Sequence, residues 1–321
     1  MKRRDFLAAG TGLVSLPRFR VRREPRLIER WSWAMGQPVH LRLFHHSEAG
    51  GYGAAQAVFA ELRRIEARLS LFEDASDLAE LNRQAARGWF RADADLLAVL
   101  EAAERFRRAS GGAFNVAVEP LMRVWGFREP RQAVPGAKEL AEASAAVRNA
   151  MVDLQGDRVR LPAAHTRLDF GGIAVGYGLD RAGRLLRESG VSAALLDVSG
   201  DLLAIGSPPG APAWPIDIVD PRTPGAILST ALLQDQALAT SANSVSVVRL
   251  GARLIGHVMD PHLGVPEERR TQATVRARTG MEADALSTAV LVAGTALPGT
   301  LQHWTVGREE PPHRDGDEGA G

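Results

Sequence analysis

The 321-residue sequence contains no cysteine, so disulfide bonds, thiolate-bound metals and cysteine nucleophiles are excluded. Lysine is nearly absent as well: Lys2 and Lys138 are the only two, and arginine carries almost all of the positive charge. We attribute this bias to genome composition and not to a phosphate-binding surface. The formal net charge of +1 gives no reason to expect nucleic acid as a partner.

The sequence also lacks the repeats, long apolar segments and short motifs that define several protein classes. It has no internal repeat and no apolar run long enough for a transmembrane helix. The GxxxxGK(S/T) phosphate loop, the HExxH zinc motif and the GxSxG nucleophile motif are missing. A Rossmann-type FAD- or NAD-dependent oxidoreductase is disfavoured, because Gly176-Tyr177-Gly178 would need a third glycine where Arg181 stands.

The residues that are present fit a soluble protein with both helices and strands. Hydrophobic residues make up 45% and charged residues 24% of the chain, which is ordinary for a globular protein. Period-two alternation predicts a strand over Val39–Leu43, and the spacing of apolar residues predicts a helix over 54–68. Strands at Ala193–Val198 and Leu202–Ile205 are joined by a turn, as in a hairpin. Because helices and strands alternate only loosely, we predict an α+β fold.

Both ends of the chain differ from the middle. At the amino terminus, Arg3-Arg4 precedes a short apolar stretch from Ala8 to Leu16, which resembles a twin-arginine export signal. We assign residues 1–30 to this leader, with an ordinary basic arm as the alternative. The leader predicts a protein in the periplasm or at the outer face of the cytoplasmic membrane. Residues 307–321 are charged, aperiodic and rich in glycine and proline, which predicts a disordered tail.

The stretch from Leu168 to Asp180 combines an apolar run, two adjacent glycines and the start of a helical pattern. Gly171 and Gly172 allow the backbone to approach a ligand closely, since no Cβ stands in the way. The helix that follows directs unpaired N–H groups and the positive end of its dipole toward that ligand. The junction suits a phosphate or pyrophosphate, and the alternative is a tight turn that binds nothing.

Two later stretches carry side chains that suit phosphate chemistry. In Ala283–Thr288, Asp284 and Thr288 are one turn apart on one face of a predicted helix. Taken alone, Asp284 would be interpreted as a helix N-cap. In His257–Pro266, an imidazole precedes a turn rich in proline and glycine. With the double glycine, these stretches resemble, in chain order, the D-x-G-G-x-A-x-G-Y, H-x-x-D-P-x-x-G-x-P and A-D-x-x-S-T blocks of the ApbE-type FAD:protein FMN transferases.

The resemblance covers roughly Met35 to Val306 and implies one compact T-fold-like domain over residues 31–306. It implies Mg²⁺-dependent transfer of FMN from FAD to a threonine or serine hydroxyl of an exported acceptor protein, with release of AMP. A membrane would be involved only through the export signal or through a membrane-bound acceptor.

The implied site residues follow from the matching blocks. The metal ligands would be the backbone at Gly172 together with Asp284, Ser287 and Thr288, and Mg²⁺ fits best because it is a hard cation that prefers oxygen. His257 would activate the acceptor hydroxyl, since imidazole titrates near neutrality. The residues implied to contact the flavin nucleotide are Met35, Phe72, Ala113, Phe114, Asn115, Asp169, Val175 and Met259.

The chain departs from the family pattern at four places. Asn115 replaces an aspartate, Val175 replaces a lysine found in many members, and His262-Leu263 replaces a frequent Arg-Thr pair. Ala242-Asn243 also replaces the usual Gly-Asp. These departures support an alternative, a protein that binds FAD without transferring FMN. Because the metal residues, the double glycine and His257 are kept, we favour the transferase.

Overall fold

The protein combines helices with strands that pair antiparallel. A computed structural model describes residues 24–84, 87–163, 165–244 and 246–307. In chain order its elements are β1 (Arg26–Ala34), β2 (Gln37–His45), α1 (Glu48–Leu69), α2 (Asp77–Gln84), β3 (Phe90–Arg91), α3 (Ala94–Ala109), a 3₁₀ turn (Val116–Val118), α4 (Glu119–Val124), α5 (Ala137–Arg148), β4 (Asp153–Gln155), β5 (Arg158–Arg160), α6 (Ala174–Glu188), β6 (Ala193–Val198), β7 (Asp201–Ile205), β8 (Trp214–Val219), β9 (Ile227–Leu233), β10 (Ala237–Ala242), β11 (Val247–Leu250), β12 (Arg253–Gly256), β13 (Met259–Asp260), β14 (Val265–Pro266), β15 (Arg270–Ala277), α7 (Gly280–Ala293) and β16 (Gln302–Gly307). The predicted α+β class and single domain are confirmed.

The centre of the fold is a seven-stranded antiparallel sheet with the order β1-β2-β6-β7-β10-β15-β16. Helices α1, α6 and α7 pack together on one face. The β8–β9 hairpin covers the other face, where Trp214 and Leu233 pack with Leu195 and Ala204. Successive residues of β6 therefore meet a different layer on each side of the sheet. This explains why nearly all of Ala193–Val198 is apolar and buried.

Helices α6 and α7 cross with their backbones in close contact. A Cβ at Gly176 would lie 2.6 Å from the carbonyl carbon of Gly280, a separation that packed atoms do not tolerate. Asp180 of α6 accepts hydrogen bonds from Gly280 N (2.6 Å) and Met281 N (3.1 Å). These are among the first N–H groups of α7, which have no partner within their own helix. The crossing therefore fixes the start of α7 against α6.

A capping box sets the first residue of α7. Thr279 accepts a hydrogen bond from the N–H of Glu282 (3.2 Å), and the Glu282 carboxylate accepts one from Thr279 N (3.2 Å). The interpretation of Asp284 as an N-cap is therefore wrong, because Asp284 lies a full turn inside the helix. Its carboxylate instead accepts a hydrogen bond from Gly176 N in the first turn of α6 (2.9 Å).

The ends of the described chain bear on the predicted domain limits. Strand β1 begins at Arg26, because Arg26 already pairs with His45 of β2, so the sheet starts inside the leader predicted over residues 1–30. The Arg3-Arg4 signal lies outside the described residues. Gly307 ends β16, and the rest of the tail predicted over 307–321 lies outside them as well. No helix in the described ranges is both long and apolar enough to cross a membrane.

Candidate functional site

A cavity of about 450 Å³ lies where the loop before α6, the first half of α7 and the segment around β13 come together. Its wall brings together sequence blocks that are far apart in the chain. Of the predicted site residues, only Met35 and Ser287 lie off the wall. Those on it are Phe72, Ala113, Phe114, Asn115, Asp169, Gly172, Val175, His257, Met259, Asp284 and Thr288.

The side of the cavity formed by α7 presents oxygen atoms. Asp284 is buried, with its Oδ2 bonded to Gly176 N. Thr288 lies one turn later, and its Oγ1 would be 3.0 Å from a Cβ at Gly172. Because Gly172 has no side chain, its backbone lies directly beside the Thr288 hydroxyl. Three of the predicted metal ligands therefore border one region of the cavity.

A serine that the sequence analysis did not select completes this side. Ser241 of β10 lies on the wall, with its Oγ 3.0 Å from Thr288 Oγ1 and 2.8 Å from Ser287 Oγ. Ser287 is almost fully buried and donates a hydrogen bond to the Asp284 carbonyl oxygen (2.9 Å). Ser287 is therefore linked to the cavity through its hydrogen bond with Ser241, whereas Ser241 faces the cavity directly. The only local sequence signal is the small and polar triplet Ala239-Thr240-Ser241, which carries no titratable group.

A second acidic side chain, also not selected from the sequence, faces the same region. Asp201 lies on the wall at the start of β7 and accepts a hydrogen bond from Thr240 N (3.3 Å). Burial raises the pKa of Asp201 to about 7, and the charge of Asp197 adds to the shift. Burial, and then the charge of Asp201, raises the pKa of Asp284 well above its usual value. A buried and a half-buried carboxyl group that repel each other need either a proton or a nearby cation.

These groups fit a hard divalent cation. Asp284 supplies charge, while Thr288, Ser241 and the Gly172 backbone supply neutral oxygens, the ligand type that Mg²⁺ prefers. A cation would also stabilise the charged forms of Asp284 and Asp201, whose pKa values are raised in its absence. Within the described ranges, no three histidine, aspartate or glutamate side chains gather into a metal-binding group. Such a site therefore relies on neutral oxygens, as in Mg²⁺ sites that substrate phosphates complete.

His257 lies on the same wall, in the short connection between β12 and β13. Its Nδ1 is buried and has no hydrogen-bond partner among the described residues. Burial lowers the pKa of His257, against the opposing effects of the Ser246 backbone and the Asp169 charge. The imidazole is therefore neutral near pH 7 and able to accept a proton, as a general base must be.

The remaining wall is largely aromatic and apolar. Phe72 is 79% exposed, whereas Phe114 is buried edge-on against Phe106, with ring centroids 6.2 Å apart. Asn115, which stands for the family aspartate, accepts a hydrogen bond from Ala117 N (2.9 Å) and so caps the 3₁₀ turn. Asparagine and aspartate cap equally well, so this departure keeps the local backbone intact while it removes a charge.

Asp169 organises the double-glycine loop. Its Oδ1 accepts a hydrogen bond from Gly171 N (2.8 Å), and its own N–H donates to the Val116 carbonyl oxygen (2.7 Å). Val175 follows in the first turn of α6 and is buried, so an apolar side chain occupies the place where many family members have lysine. The loop and the start of α6 thus present a carboxylate and backbone groups, but no lysine.

Met35 lies in the turn of the β1–β2 hairpin and not on the cavity wall. Met35 and Gly36 form its two-residue turn, with left-handed φ values of 58° and 69°, as in a type I′ turn. The Met35 sulfur would lie 4.0 Å from a Cβ at Gly178 in α6, so the side chain packs toward the helices. Gln37, two residues later, is the residue of this hairpin that lies on the wall.

Arg128 is a further wall residue that the sequence analysis did not select. Its guanidinium pairs with Asp169 and lies over the ring of Phe72, with Cζ 5.4 Å from the ring centroid. The only local signal is its position directly after the aromatic segment Trp125-Gly126-Phe127. His262, at another departure from the family pattern, lies against Gly112 and lines a neighbouring cavity instead.

Comparison with known proteins shows which sequences this chain resembles. A sequence model of the ApbE family matches residues 35–303. The FAD:protein FMN transferase of Treponema pallidum is 32% identical over 295 residues, which cover 84% of this chain and 79% of that protein. The FAD:protein FMN transferase of Haemophilus influenzae is 26% identical over 286 residues, which cover 85% of this chain and 82% of that protein.

Solved structures share the architecture. The ApbE protein of Thermotoga maritima superposes with a TM-score of 0.76 at 28% identity, covering 84% of this chain and 87% of the other. The apo flavinyl transferase ApbE of Pseudomonas stutzeri gives 0.76 at 27% identity, covering 89% and 93%. Fold and cavity thus define a single-domain α+β protein with an acidic, hydroxyl-rich site suited to phosphate chemistry. The chain belongs to the ApbE family.

Proposed function

We propose that this protein transfers FMN from FAD to a threonine or serine hydroxyl of an acceptor protein and releases AMP. The relatives from T. pallidum and H. influenzae carry the name of this activity. The observation that supports it best is the presence of His257, the double glycine and Asp284 on one cavity wall. A protein that only stored FAD would need neither a neutral imidazole nor an acidic metal site.

In this proposal Mg²⁺ would be held by Asp284, Thr288 and the Gly172 backbone. When bound, the ion neutralises charge on the pyrophosphate oxygens of FAD. Ser241 orients the Thr288 hydroxyl through their 3.0 Å contact, and Asp201 keeps the region negative enough to attract a divalent cation. The double glycine lets the phosphates approach the amino-terminal end of α6, where the positive end of the helix dipole favours an anion.

His257 acts as the general base. It accepts the proton of the acceptor hydroxyl while that oxygen attacks the phosphorus of the FMN half. The new phosphoester bond forms as the bond to the AMP oxygen breaks, and AMP leaves with the electron pair of that bond. Burial lowers the pKa of His257 and so keeps the imidazole neutral for this step at pH 7. Solvent then takes up the proton.

The direct test is incubation of the purified protein with FAD, Mg²⁺ and a candidate acceptor domain, followed by denaturing electrophoresis. Flavin fluorescence that stays on the acceptor band shows covalent transfer, and AMP should appear in equal amount. An acceptor with its target threonine replaced by alanine is the control and should remain dark. If FAD binds but no fluorescence survives denaturation, the protein is a flavin binder and the transferase proposal is wrong.

We also propose that the protein works outside the cytoplasm, in the periplasm or at the outer face of the cytoplasmic membrane. The support is the Arg3-Arg4 pair ahead of the apolar stretch Ala8 to Leu16. There the enzyme would meet exported acceptor proteins, including acceptors that are themselves membrane-bound.

A further inference from the structure

We propose that Arg128 binds the pyrophosphate of the flavin dinucleotide. The inference rests on the proposed function, because that function makes FAD the substrate. Among the described residues of the wall, Arg128 is the only lysine or arginine, whereas Asp169, Asp201 and Asp284 bring three carboxyl groups. When these carboxyl groups are ionised, a wall of this composition repels an anionic substrate unless a cation offsets it. Arg128 is the protein's own cation at that place.

Contacts on two sides hold Arg128 at the wall. A terminal nitrogen pairs with Asp169 Oδ2, and the guanidinium lies over the Phe72 ring. Glu119 is near on a third side, but its Oε1 is 3.8 Å from Nε, which is too long for a hydrogen bond. The side chain is only 11% exposed. Its planar set of donors is therefore preorganised, which favours bidentate binding of a phosphate.

This guanidinium has a donor left over. Nε of Arg128 is buried and has no hydrogen-bond partner among the described residues. An unpaired buried donor is unfavourable, and nearly all such groups in folded proteins find an acceptor. Because Nε is closed to solvent, a phosphate in the cavity would meet the terminal nitrogens of the guanidinium instead, through a charge-assisted bond, the strong kind that arginine forms with phosphates.

Asp169 connects Arg128 to the double-glycine loop. The same carboxylate that pairs with Arg128 accepts a hydrogen bond from Gly171 N (2.8 Å), so Asp169 joins the arginine to the double-glycine loop. Gly172 follows directly and borders the Thr288 hydroxyl. A pyrophosphate that approaches the double glycine therefore comes between the guanidinium and the oxygen-rich side formed by α7.

Binding measurements with three flavins distinguish contact between Arg128 and the pyrophosphate from any other role of Arg128. FAD, FMN and riboflavin share the isoalloxazine ring but carry a pyrophosphate, one phosphate and no phosphate. Their affinities can be measured by fluorescence titration in EDTA, where metal-dependent turnover does not interfere. Arg128→Met should weaken FAD binding about 10- to 100-fold, the range for loss of a charge-assisted bond. Riboflavin binding should change by less than about 2-fold, and Arg128→Lys should recover part of the FAD affinity.

Arg123→Met is the matched control. Arg123 also pairs with Glu119 (2.9 Å), but its side chain is 54% exposed and lies off the wall. This variant should bind all three flavins like the unaltered protein. Circular dichroism establishes that each variant is folded. If Arg128→Met does not fold, Arg128→Lys and the salt dependence of the unaltered protein carry the test: FAD affinity should fall as salt rises, and riboflavin affinity should not.

Two results would overturn the assignment. Unchanged FAD affinity in Arg128→Met would remove the residue from substrate binding. An equal loss for FAD, FMN and riboflavin would show that Arg128 only positions Asp169 or the flavin ring. The transfer assay fails separately: a protein that binds FAD through Arg128 but leaves the acceptor unlabelled refutes the transferase and not this inference. Normal acceptor labelling, together with FAD binding that does not depend on Arg128, would refute this inference and leave the transferase proposal standing.

Discussion

Asp284 Oδ2 accepts a hydrogen bond from Gly176 N at 2.9 Å, and this contact joins two sequence blocks that are 108 residues apart. Gly176 lies in the first turn of α6, where backbone N–H groups have no acceptor within the helix. The carboxylate therefore satisfies an N–H group at the start of α6 in addition to its proposed role toward Mg²⁺. The close crossing of α6 and α7 at Gly176 and Gly280 brings the two groups together.

Gly176→Ala should destabilise the protein, because its Cβ would lie 2.6 Å from the Gly280 carbonyl carbon and force α6 and α7 apart. We expect a loss of about 1–3 kcal/mol in the free energy of unfolding, typical of overpacking, as measured by urea denaturation. The control is Gly53→Ala, in α1, where an added Cβ has nothing within 4 Å. That control should gain up to about 1 kcal/mol. Equal stability of Gly176→Ala and the unaltered protein would show that the crossing accommodates a methyl group.

Asp284→Ala should abolish Mg²⁺-dependent transfer while the fold survives, because water cannot replace a charged ligand of a hard cation. Asp284→Asn should also be inactive, although it keeps an acceptor for Gly176 N. Thr288→Ala should do less harm, since a neutral hydroxyl is the weaker ligand. Initial rates of acceptor labelling over a Mg²⁺ titration provide the measurement. Full Mg²⁺-dependent activity in Asp284→Ala would show that the metal assignment is wrong.

The sequence predicted the site residues that lie in short, ordered blocks. Helical spacing places Asp284 and Thr288 one turn apart, but spacing alone favoured an N-cap for Asp284. The order of three family-like blocks is what selected it together with His257 and the double glycine. Ser241 and Arg128 reach the wall from elements distant in the chain, and neither stands in a distinctive local pattern. Single-sequence reasoning could not select them, because tertiary packing alone makes them neighbours of the predicted residues.

In the fold, too, local sequence patterns predicted some elements, whereas tertiary packing decided others. The bounds predicted for the strand Ala193–Val198 are correct, since burial on both faces leaves a continuous apolar run. The helix predicted over 54–68 is confirmed but begins earlier, at Glu48, because glycines in its first turns obscure the helical pattern. Strand β1 was not predicted: it is an edge strand whose outward side chains, Trp31 and Trp33 among them, remain exposed. Its residues therefore lack the half-buried alternation by which strands are found.

Mg²⁺ should stabilise the protein more strongly as the pH rises. The pKa of folded Asp201 is raised to about 7 and that of Asp284 is raised too. In the unfolded chain both groups release their protons near their ordinary pKa. The metal-free protein therefore loses stability from Asp201 as the pH rises from about 4 to about 7, and Asp284 adds a loss of the same sign that also begins near about pH 4. Bound Mg²⁺ removes that loss, because it favours the deprotonated carboxylates.

Thermal unfolding at about pH 5 and about pH 8, in EDTA and in Mg²⁺, measures this effect. The rise in Tm on adding Mg²⁺ should be larger at the higher pH. Asp201→Asn should reduce the dependence of that rise on pH, since one of the two titrating groups is then gone. A Mg²⁺ effect of the same size at both pH values would contradict the placement of the ion beside these carboxyl groups.

Replacing Arg3 and Arg4 together by lysine should leave the protein in the cytoplasm. The paired arginines ahead of a short apolar stretch are typical of the twin-arginine signal, which lysine does not reproduce. Cell fractionation followed by immunoblotting measures the distribution of the two forms. The control is the replacement of Arg22 and Arg23 by lysine. These two arginines lie beyond the apolar stretch, so this replacement should leave export unchanged. Periplasmic delivery of the Arg3-Arg4 variant would contradict export by this route.

His257→Ala should separate binding from chemistry. FAD and Mg²⁺ should still bind, because the double glycine and the Asp284 region hold them without the imidazole. Acceptor labelling should fall by about two to four orders of magnitude, the usual effect of losing a general base. Fluorescence titration with FAD and timed labelling of the acceptor measure the two properties independently. Labelling at the normal rate would remove His257 from the mechanism and leave activation of the acceptor to the metal.

The pH profile gives a second test of the same residue. Burial lowers the pKa of His257 from its ordinary value of 6.5, so the neutral form persists at and above that pH. Labelling by the unaltered protein should therefore remain level around neutrality and decline only as the pH falls through the lowered pKa. The residual labelling by His257→Ala should lack this decline, because the titrating group is absent. If the variant kept the same acid limb as the unaltered protein, a group other than His257 would control the reaction in acid.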